Sequence, residues 1–454
     1  MALSVIILAA GQGKRMHSDL PKVSQPLGGA TLLEHVVRSA AALDEASIHV
    51  VYGHGGEAVQ AGHKHLDVSW VLQKEQLGTG HAVMQAAPKI GDKDRVLILY
   101  GDVPLVRPAT LRRLTDSAAK GHLAVLTAKL SDPSGYGRML RDGSGRVQRI
   151  VEDKDASAAE RYIDEVNTGL MACDGAKLKG WLAKLSNKNA QKEYYLTDVI
   201  AMAAADGVTV DGVLAEDRDE VRGINDKHQL SQAEKALRKR VAIELMVAGL
   251  TLRDSRRFDL RGSLSFGRDC VIDVNCVLEG KVKLGHRVKI GPGAVIKDCE
   301  IGDDTEVLAH CVLDGAHIGS KVRIGPFARI RPESVLGDES HVGNFVEIKK
   351  TRLGKGSKAN HLAYVGDAQV GEKVNIGAGV ITCNYDGVNK NVTSIGDGAF
   401  IGSDTTLVAP VTIGPGAYIG AGSTITREAP AGQLTLSRVR QETKAGWKPP
   451  EKKK

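Results

Sequence analysis

The chain is poor in aromatic residues and contains no long hydrophobic segment. Phenylalanine, tyrosine and tryptophan make up only 4% of its 454 residues, so rings cannot fill most of its core. No apolar run reaches the roughly 20 residues that a membrane-spanning helix needs, which argues against membrane insertion. The apolar start, 1–10, has no basic region before it and leads into a glycine-rich turn. We therefore expect a buried first strand there rather than a signal peptide.

Paired cysteine motifs are also missing. None of the six cysteines belongs to a C-x-x-C pair, and the chain is far longer than a small disulfide-stapled domain. The cysteines are Cys173, Cys270, Cys276, Cys299, Cys311 and Cys383. We expect reduced, mostly buried thiols in a cytoplasmic protein.

Excess charge is confined to one end. From Arg438 onward there are seven basic and two acidic residues, which gives 7 − 2 = +5 of the formal net charge of +7. The remainder is close to neutral, so the composition demands no nucleic-acid-binding surface. We expect Lys452–Lys454 to form a frayed, solvated end.

Glycine is the residue in excess. Residues 1–250 hold 24 of the 52 glycines, and the shorter remainder holds 52 − 24 = 28. A ring-poor, glycine-rich half implies disorder, a collagen-like repeat, or a repeat of tight turns between small aliphatic residues.

The first half alternates short aliphatic runs with helical patterns. The predicted buried strands are Val5–Ala10, Ile48–Tyr52, Val96–Tyr100 and Leu123–Ala128. Thr31 and Glu34 form a capping box that opens an amphipathic helix through Ala42. This alternation predicts an α/β domain with a mostly parallel sheet, whose ligands bind at the carboxyl ends of the strands.

A linker helix is predicted where the composition changes. Ser231 and Glu234 form a second capping-box pattern, and Gly249 ends the apolar series that follows. The predicted organisation is a first domain over 1–228, a linker helix over 229–249 and a second domain over 250–454.

The second half repeats an aliphatic or aromatic residue every six positions. The series are Leu260, Phe266, Ile272, Leu278, Leu284, Ile290 and Ile296; Ile318, Ile324, Ile330, Leu336, Val342 and Ile348; and Ile395, Ile401, Leu407, Ile413, Ile419 and Ile425. A period of six is typical of a parallel β-helix, in which each hexad forms one short strand and one turn. We expect the aliphatic residues to point inward and the glycines that follow many of them to permit the turns.

The six-residue phase breaks twice, at 354–365 and at 381–395. The polar segment Thr382–Lys390 lies in the second break. We expect it to loop outward, since insertions in repeat proteins often build a binding face.

The first strand leads into the turn Gly11-Gln12-Gly13-Lys14-Arg15. The sequence fits neither a P-loop nor a dinucleotide fingerprint. Backbone N–H groups in such a turn can cradle phosphates, and Arg15 with Lys22 can neutralise a leaving pyrophosphate. Taken alone, a simple strand-to-helix turn with exposed charges explains the pattern equally well.

Further motifs follow this turn in order along the first half. They are Leu20-Pro21-Lys22, Gln73 with Leu77-Gly78-Thr79-Gly80, Tyr100-Gly101-Asp102, Gly135-Tyr136-Gly137-Arg138, Val151-Glu152, Asn167-Thr168-Gly169 and Gly223-Ile224-Asn225. The set resembles the signature of the sugar-1-phosphate nucleotidyltransferases. With the hexapeptide half added, the whole chain resembles the bacterial bifunctional family of N-acetylglucosamine-1-phosphate uridyltransferases and glucosamine-1-phosphate N-acetyltransferases.

The resemblance implies a fold and two reactions. The fold is a Rossmann-like α/β nucleotidyltransferase domain followed by an all-β left-handed parallel β-helix. Acetyl-CoA would acetylate glucosamine 1-phosphate, and Mg²⁺-dependent uridylyl transfer from UTP to N-acetylglucosamine 1-phosphate would then release pyrophosphate. The product, UDP-N-acetylglucosamine, serves cell-envelope synthesis. The resemblance also implies a homotrimer whose acetyl sites lie between subunits, with Arg438 reaching a neighbouring chain's cofactor.

For uridylyl transfer, the resemblance makes Asp102 and Asn225 the Mg²⁺ ligands and Lys22 a phosphate-neutralising residue. Without it, Asp102 would be interpreted as a helix cap and Glu152 as a solvated acid. Asp226 stands where a second amide might follow Asn225. The predicted uridyltransferase set is Leu8, Ala9, Ala10, Gly11, Lys22, Gln73, Gly78, Thr79, Tyr100, Gly101, Asp102, Gly137, Glu152, Asn167 and Asn225; Gln73, Gly78 and Thr79 would recognise uracil, and Gly137, Glu152 and Asn167 the sugar.

For acetyl transfer, the amine must lose a proton, and histidine is the usual base near neutral pH. His361 matches the family's base. By the same resemblance, the glucosamine 1-phosphate contacts are Arg331, Lys349, Tyr364 and Asn375, and the acetyl-CoA contacts are Ala378, Asn384, Tyr385, Ser403, Ala421 and Arg438.

Two other functions are compatible with the architecture. The β-helix could be only a trimerisation or effector-binding scaffold attached to a nucleotidyltransferase, or the whole chain could be a non-catalytic assembly subunit. His361 and the 382–390 segment argue against the first, and Lys22, Asp102 and Asn225 argue against the second.

Overall fold

The computed structural model describes residues 2–11, 13–53, 56–189, 191–450 and 452. It divides into two compact units, 1–237 and 238–454. Within the described ranges, no helix is both long and apolar enough to cross a membrane. Lys452 is exposed, whereas Lys453 and Lys454, which belong to the predicted frayed end, lie outside the described residues.

The first unit contains a nine-stranded sheet. Its strands and the small hairpin β2–β3 are β1 Leu3–Leu8, β2 Pro26–Leu27, β3 Ala30–Thr31, β4 Ala46–Gly53, β5 Ser69–Gln73, β6 Arg95–Tyr100, β7 Leu123–Lys129, β8 Arg138–Arg141, β9 Val147–Val151, β10 Glu165–Asp174 and β11 Val210–Leu214. The helices are α1 Leu32–Ala41, α2 Glu57–Gly62, α3 Thr79–Ala86, α4 Pro108–Ala119, α5 Gly175–Leu182, α6 Asp198–Ala205 and α7 Lys227–Val247. The strand order is β11-β7-β10-β6-β1-β4-β5, with β8 beside β10 and β9.

The predicted α/β domain with a mostly parallel sheet is confirmed. β1 is parallel to both β4 and β6, whereas β10 runs antiparallel to β6 and β7. β1 is buried along its whole length because Val5 and Ile7 pack into one core cluster and Ile6 and Leu8 into another, on opposite faces. Leu8 and Tyr100 are register partners, so the loops after β1 and β6 open at the same edge of the sheet.

Helix α1 begins where the sequence predicts. The Thr31 hydroxyl accepts from the Glu34 backbone N–H at 3.2 Å, and the Glu34 carboxylate accepts from the Thr31 N–H at 2.5 Å. This reciprocal pair satisfies two N–H groups that the first turn leaves without helical partners.

The second predicted capping box is wrong. Ser231 lies inside α7, which begins at Lys227. The first turn is capped by Asp226, whose carboxylate accepts from the Gln229 N–H at 2.8 Å, and an aspartate performs this role as well as a serine. The chain leaves the helix through Gly249, which has a φ of 105°.

The second unit is a parallel β-helix, as predicted from the hexads. One sheet has 11 strands: Thr251–Leu252, Val271–Ile272, Lys289–Ile290, Glu306–Val307, Arg323–Ile324, His341–Asn344, Lys358–His361, Asn375–Ile376, Phe400–Ile401, Tyr418–Ile419 and Leu434–Thr435. The other has 17: Phe258–Phe266, Cys276–Leu284, Val295–Lys297, Glu300–Ile301, Val312–Asp314, His317–Ile318, Arg329–Ile330, Val335–Leu336, Glu347–Lys349, Arg352–Leu353, Tyr364–Gly366, Ala368–Val370, Ile381–Cys383, Thr393–Ile395, Thr406–Val408, Val411–Ile413 and Thr424–Ile425.

Each coil buries its hexad residues in a common core. Leu278, Ile296, Ile330, Ile348 and Ile401 are fully buried in one cluster, so small aliphatic side chains replace aromatic rings as the filling. Paired residues in adjacent coils are 18 apart in the first coils, as in Leu260↔Leu278, and often 17 apart later, as in Ile330↔Ile348 at 18 and Val342↔Ala359 at 17. A coil of 17 shifts the six-residue phase without any excursion of the chain, which explains the break at 354–365.

The glycines after the hexad residues have a different role from the one predicted. A Cβ on Gly402 would lie 2.5 Å from the backbone nitrogen of Ala421 in the next coil. Positive φ angles at the corners are instead adopted largely by other residues, including His310, Phe327 and Phe345. The glycine is needed for close approach between coils.

The outward loop is shorter than predicted. Ile381–Cys383 is a regular strand, and the buried Thr382 hydroxyl donates to the Gly366 carbonyl oxygen at 3.0 Å. The excursion follows Asn384 and is closed by a bridge between Tyr385 and Lys390. It lengthens this coil to 25 residues, from Ile376 to its partner Ile401.

Candidate active sites

A cavity of about 350 Å³ lies at the carboxyl ends of the central strands of the first unit. Most of the predicted uridyltransferase residues line it: Leu8, Ala9, Ala10, Gly11, Lys22, Gln73, Gly78, Thr79, Tyr100 and Asp102. Parallel strands end at this edge, so the fold gathers segments that are distant in sequence.

The glycine-rich turn is shaped around Lys22. Gly13 has a φ of 61°, and a Cβ there would lie 2.6 Å from the Cβ of Lys22. Glycine is therefore required on both conformational and steric grounds. Arg15 is exposed on the following 3-10 turn, Lys14–Met16, and does not line the cavity.

Lys22 joins the two predicted metal ligands. Its ammonium pairs with the Asp102 carboxylate and donates to the Asn225 side-chain oxygen at 3.1 Å. The side chains of Lys22 and Asp102 are only 13% and 16% exposed. One carboxylate oxygen and one amide oxygen thus converge on a single cationic position. That donor set fits Mg²⁺, which takes few protein oxygens and completes its octahedron with waters and phosphate oxygens.

Asp226 is directed away from this cation position. Its carboxylate caps α7 through the Gln229 N–H at 2.8 Å, while the Gln229 side chain accepts from the Asn225 N–H at 2.7 Å. The acid beside Asn225 thus serves the helix end.

The base end of the cavity contains Gln73 and Gly78. Gly78 has a φ of 106°, and a Cβ there would lie 2.7 Å from the Tyr194 carbonyl oxygen. The Gly80 N–H donates to that same oxygen at 2.8 Å. The 193–196 segment therefore fixes the loop that precedes α3, and only glycine fits at Gly78.

Three of the predicted sugar contacts form a neighbouring group outside the cavity lining. The Asn167 N–H donates to the Gly137 carbonyl oxygen at 2.8 Å, and Glu152 accepts from the Thr197 hydroxyl at 3.0 Å. A Cβ on Gly137 would come within 3.6 Å of the Glu152 carboxylate. Burial, together with the nearby Asp155, raises the pKa of Glu152 above its ordinary value.

Gly101 and Asn225 are predicted residues that support the site from behind the lining. The Gly101 N–H donates to the Leu8 carbonyl oxygen at 2.9 Å, which ties the loop after β6 to the end of β1. Asn225 is reached through Lys22. Burial also raises the pKa of Tyr100 well above its ordinary value.

Sequence reasoning missed two polar lining residues, Gln76 and Glu193. The Gln76 amide donates to the Ala10 carbonyl oxygen at 2.6 Å. Its position between Gln73 and Gly78, both in the predicted set, was a usable signal. Glu193 comes from a distant segment without a motif, and nothing in the sequence indicated it.

In the second unit, His361 lies at one corner of the β-helix. It ends the strand Lys358–His361 and pairs in register with Asn344 of the preceding coil. Its Nδ1 is 2.8 Å from the Asn344 side-chain oxygen. Since that oxygen can only accept, Nδ1 carries the proton and Nε2 is left with a free lone pair.

The same corner continues into the predicted acetyl-CoA contacts. The Gly379 N–H donates to the Leu362 carbonyl oxygen, the Asp404 N–H to that of Ala378 and the Gly422 N–H to that of Ser403, at 2.7–2.9 Å. Arg438 then donates to the Ala421 carbonyl oxygen at 2.7 Å. His361, Ala378, Ser403 and Ala421 therefore occupy equivalent corner positions in successive coils, and Arg438 turns back onto its own chain.

A buried carboxylate, which the sequence analysis missed, organises part of the predicted sugar-phosphate site. Asp367 accepts from the Lys349 ammonium at 3.0 Å and from the Asn384 amide. Burial alone would raise the pKa of Asp367, but the hydrogen bonds from Lys349 and Asn384 lower it below its ordinary value. The hydrogen bond to Asp367 raises the pKa of Lys349. Asn384 is also 3.4 Å from the Tyr364 hydroxyl.

Other predicted residues are separate from that cluster within this chain. Arg331 pairs with Glu347 at 2.9 Å. Asn375 lies in the 11-stranded sheet between Lys358 and Phe400, whereas Lys349 lies in the 17-stranded one. Tyr385 is 60% exposed on the loop.

Family models and whole-chain relatives match this sequence. A MobA-like NTP transferase domain matches residues 5–166, a GMPPB C-terminal domain matches 260–354, and a bacterial transferase hexapeptide model of six repeats matches 393–427. The bifunctional protein GlmU of Alkalilimnicola ehrlichii is 56% identical over 99% of this chain and 97% of its own length. GlmU of Methylococcus capsulatus is 56% identical over 100% and 98%. A crystal structure of UDP-glucose pyrophosphorylase with UDP-glucose is similar at a TM-score of 0.44 and 16% identity, over 53% of this chain and all of that one.

Proposed function

The chain belongs to the GlmU family of bifunctional proteins, and we propose that its two units perform successive steps of UDP-N-acetylglucosamine synthesis. The β-helix transfers an acetyl group from acetyl-CoA to glucosamine 1-phosphate. The α/β unit transfers a uridylyl group from UTP to the acetylated sugar phosphate and releases pyrophosphate. The observation that carries the proposal is that each unit gathers its own set of motif residues, one around Lys22 and the other along the His361 corner.

Uridylyl transfer requires positioning and charge neutralisation rather than a general base. The attacking group is a phosphate oxygen of the sugar phosphate, which is already anionic, and it displaces pyrophosphate from the α-phosphorus of UTP. Lys22 supplies a buried positive charge beside the glycine-rich turn. The exposed Arg15, outside the cavity, would reach only the outer phosphates of UTP.

Asp102 and Asn225 would hold Mg²⁺ at the position where their oxygens converge. The ion would neutralise charge on the reacting phosphates when bound. Lys22, which contacts both residues, would then turn its ammonium toward the phosphates. Glu152, Asn167 and Gly137 would hold the sugar, and Gln73, Gly78 and Thr79 the uracil.

Acetyl transfer requires removal of a proton from the amine as it attacks the thioester. Asn344 orients His361 so that Nε2 can accept this proton. Lys349 and Arg331 provide cations for the sugar phosphate, while the corner formed by Ala378, Ser403 and Ala421 provides backbone contacts for acetyl-CoA. The oriented histidine favours this function over a scaffold role, which has no use for it.

We also propose that the enzyme is a homotrimer with acetyl sites between subunits. The support is an exposed apolar column formed by Phe327, Phe345 and Leu362, which are 49%, 57% and 64% exposed. The two phenylalanine rings stack with centroids 5.5 Å apart. The column follows the corner that carries His361, so a second chain covering it would also border the acetyl site.

A cytoplasmic location is part of the proposal. All six cysteines are free thiols, five of them buried. This state suits a reducing compartment.

One reconstitution tests both activities. The purified protein is given glucosamine 1-phosphate, acetyl-CoA, UTP and Mg²⁺, and free CoA, pyrophosphate and UDP-N-acetylglucosamine are measured. We expect the three products to form in equal amounts. Release of CoA without the nucleotide sugar, or no turnover, would contradict the assignment.

A further inference from the structure

Gln73 has an amide whose orientation is fixed. It ends β5, is 2% exposed and lines the cavity. Its nitrogen is 3.2 Å from the Gly78 carbonyl oxygen and 3.1 Å from Nδ1 of His81. Because an amide nitrogen carries two hydrogens, these two acceptors use both. The oxygen Oε1 is then the amide atom available to a ligand in the cavity.

His81 is itself held in the first turn of α3. Its ring packs against the Tyr194 ring, with centroids 6.2 Å apart. Its Nε2 is 3.2 Å from the side-chain nitrogen of Gln85, one turn further along. When Nδ1 accepts from Gln73, Nε2 carries the ring proton, and Gln85 offers its oxygen to that proton after a half-turn of its amide. Contacts on several sides thus keep Nδ1 directed at Gln73.

The orientation of the Gln73 amide matters because uracil and cytosine differ at adjacent atoms. Uracil has a donor at N3 and an acceptor at O4, whereas cytosine has an acceptor at N3 and an amino donor at C4. An amide oxygen facing N3 accepts from uracil but repels the lone pair of cytosine. An amide turned by 180° presents N–H groups and reverses this preference.

We propose that His81 is a positioning residue that fixes the Gln73 amide and thereby makes the nucleotide site selective for uracil over cytosine. This rests on the proposed function, since Gln73 must face the base of UTP. His81 acts through Gln73 and through Nδ1 alone.

Two substitutions separate the acceptor at Nδ1 from the ring. His81→Phe keeps a flat ring against Tyr194 but removes the acceptor, whereas His81→Asn loses the ring and keeps an amide oxygen close to the position of Nδ1. The ratio of kcat/KM for UTP to that for CTP is measured for each variant, with N-acetylglucosamine 1-phosphate as the acceptor. We expect the ratio to fall by about tenfold or more in His81→Phe, the effect of one hydrogen bond. His81→Asn should retain most of it.

The outcomes distinguish this inference from the proposed function. An unchanged ratio in His81→Phe, or an equal fall in both variants, would overturn the positioning role. Absence of uridylyl transfer from UTP in the unsubstituted protein would instead overturn the proposed function. Acetyl transfer should remain unchanged in both variants, because its predicted residues lie in the second unit. If His81→Phe does not fold, His81→Leu removes the same acceptor and gives the same test.

Discussion

At the scale of single residues, the sugar-binding end of the first site contains an acid held in an unfavourable state. Glu152 is largely buried, and its pKa is raised by that burial and by nearby aspartates. A raised pKa in the folded state means that ionised Glu152 destabilises the fold at neutral pH. Such residues are typical of sites where a ligand supplies the missing interactions.

Replacing Glu152 with Gln should therefore stabilise the free protein while weakening its activity. The Thr197 hydroxyl can still donate to the amide oxygen, but the charge is lost. Chemical denaturation at pH 7 should give a higher free energy of unfolding for the first unit. The contribution of Glu152 is fully present below its unfolded pKa and is lost as pH rises through the raised folded value, so the gain should vanish near pH 4.

The activity of Glu152→Gln provides the second readout. We expect kcat/KM for N-acetylglucosamine 1-phosphate to fall by about tenfold to a hundredfold, the value of one charge-assisted hydrogen bond. A variant that is less stable than the original protein at pH 7 would contradict this account of Glu152.

The residue-level predictions succeeded where motifs were continuous in sequence. Leu8–Gly11, Gln73 and Asp102 line one cavity as expected. Asp367 and Glu193 were missed because their partners come from other coils or distant loops, and sequence spacing carries no sign of such contacts. Arg15 has the charge expected at a phosphate site, but the 3-10 turn carries it outside the lining.

At the scale of elements, one corner of the β-helix positions both the base and the acetyl-CoA contacts. Equivalent corner positions recur once per coil, so a short binding residue in each coil builds a continuous groove. The hexads predicted the coils, but not the lengths of 17 and 25 residues that interrupt their phase. Those lengths depend on how the turns pack, which a six-residue period does not encode.

Ile401 tests how strongly the groove depends on the core beneath it. It is fully buried in the coil that carries Ser403. Ile401→Ala should lower the free energy of unfolding by about 2–5 kcal/mol through loss of packing and a residual cavity. Acetyl transfer should lose thermal stability with the β-helix, whereas uridylyl transfer should survive heating as before. The two activities are measured after incubation at increasing temperatures, and their parallel loss would contradict separate units.

At the scale of the whole molecule, the chain contains two units with different cores and different chemistry. The first depends on strand ends that meet at one edge of a sheet, and the second on repeated coils. The change in composition near residue 250 indicated this division from the sequence. The helix across it, Lys227–Val247, began earlier than its apparent capping box indicated because Asp226 caps it instead.

The central claim is that two independent sites act in sequence, and complementation between two variants tests it most directly. His361→Ala removes the acetylation base, and Asp102→Asn removes the charged metal ligand. UDP-N-acetylglucosamine is measured from glucosamine 1-phosphate, acetyl-CoA, UTP and Mg²⁺ with each variant alone and with both together. We expect almost no product from either variant alone and restored synthesis from the mixture, because the acetylated intermediate can diffuse between them. A mixture that remains inactive although both variants are folded, or a single variant that loses both half-reactions, would contradict the account.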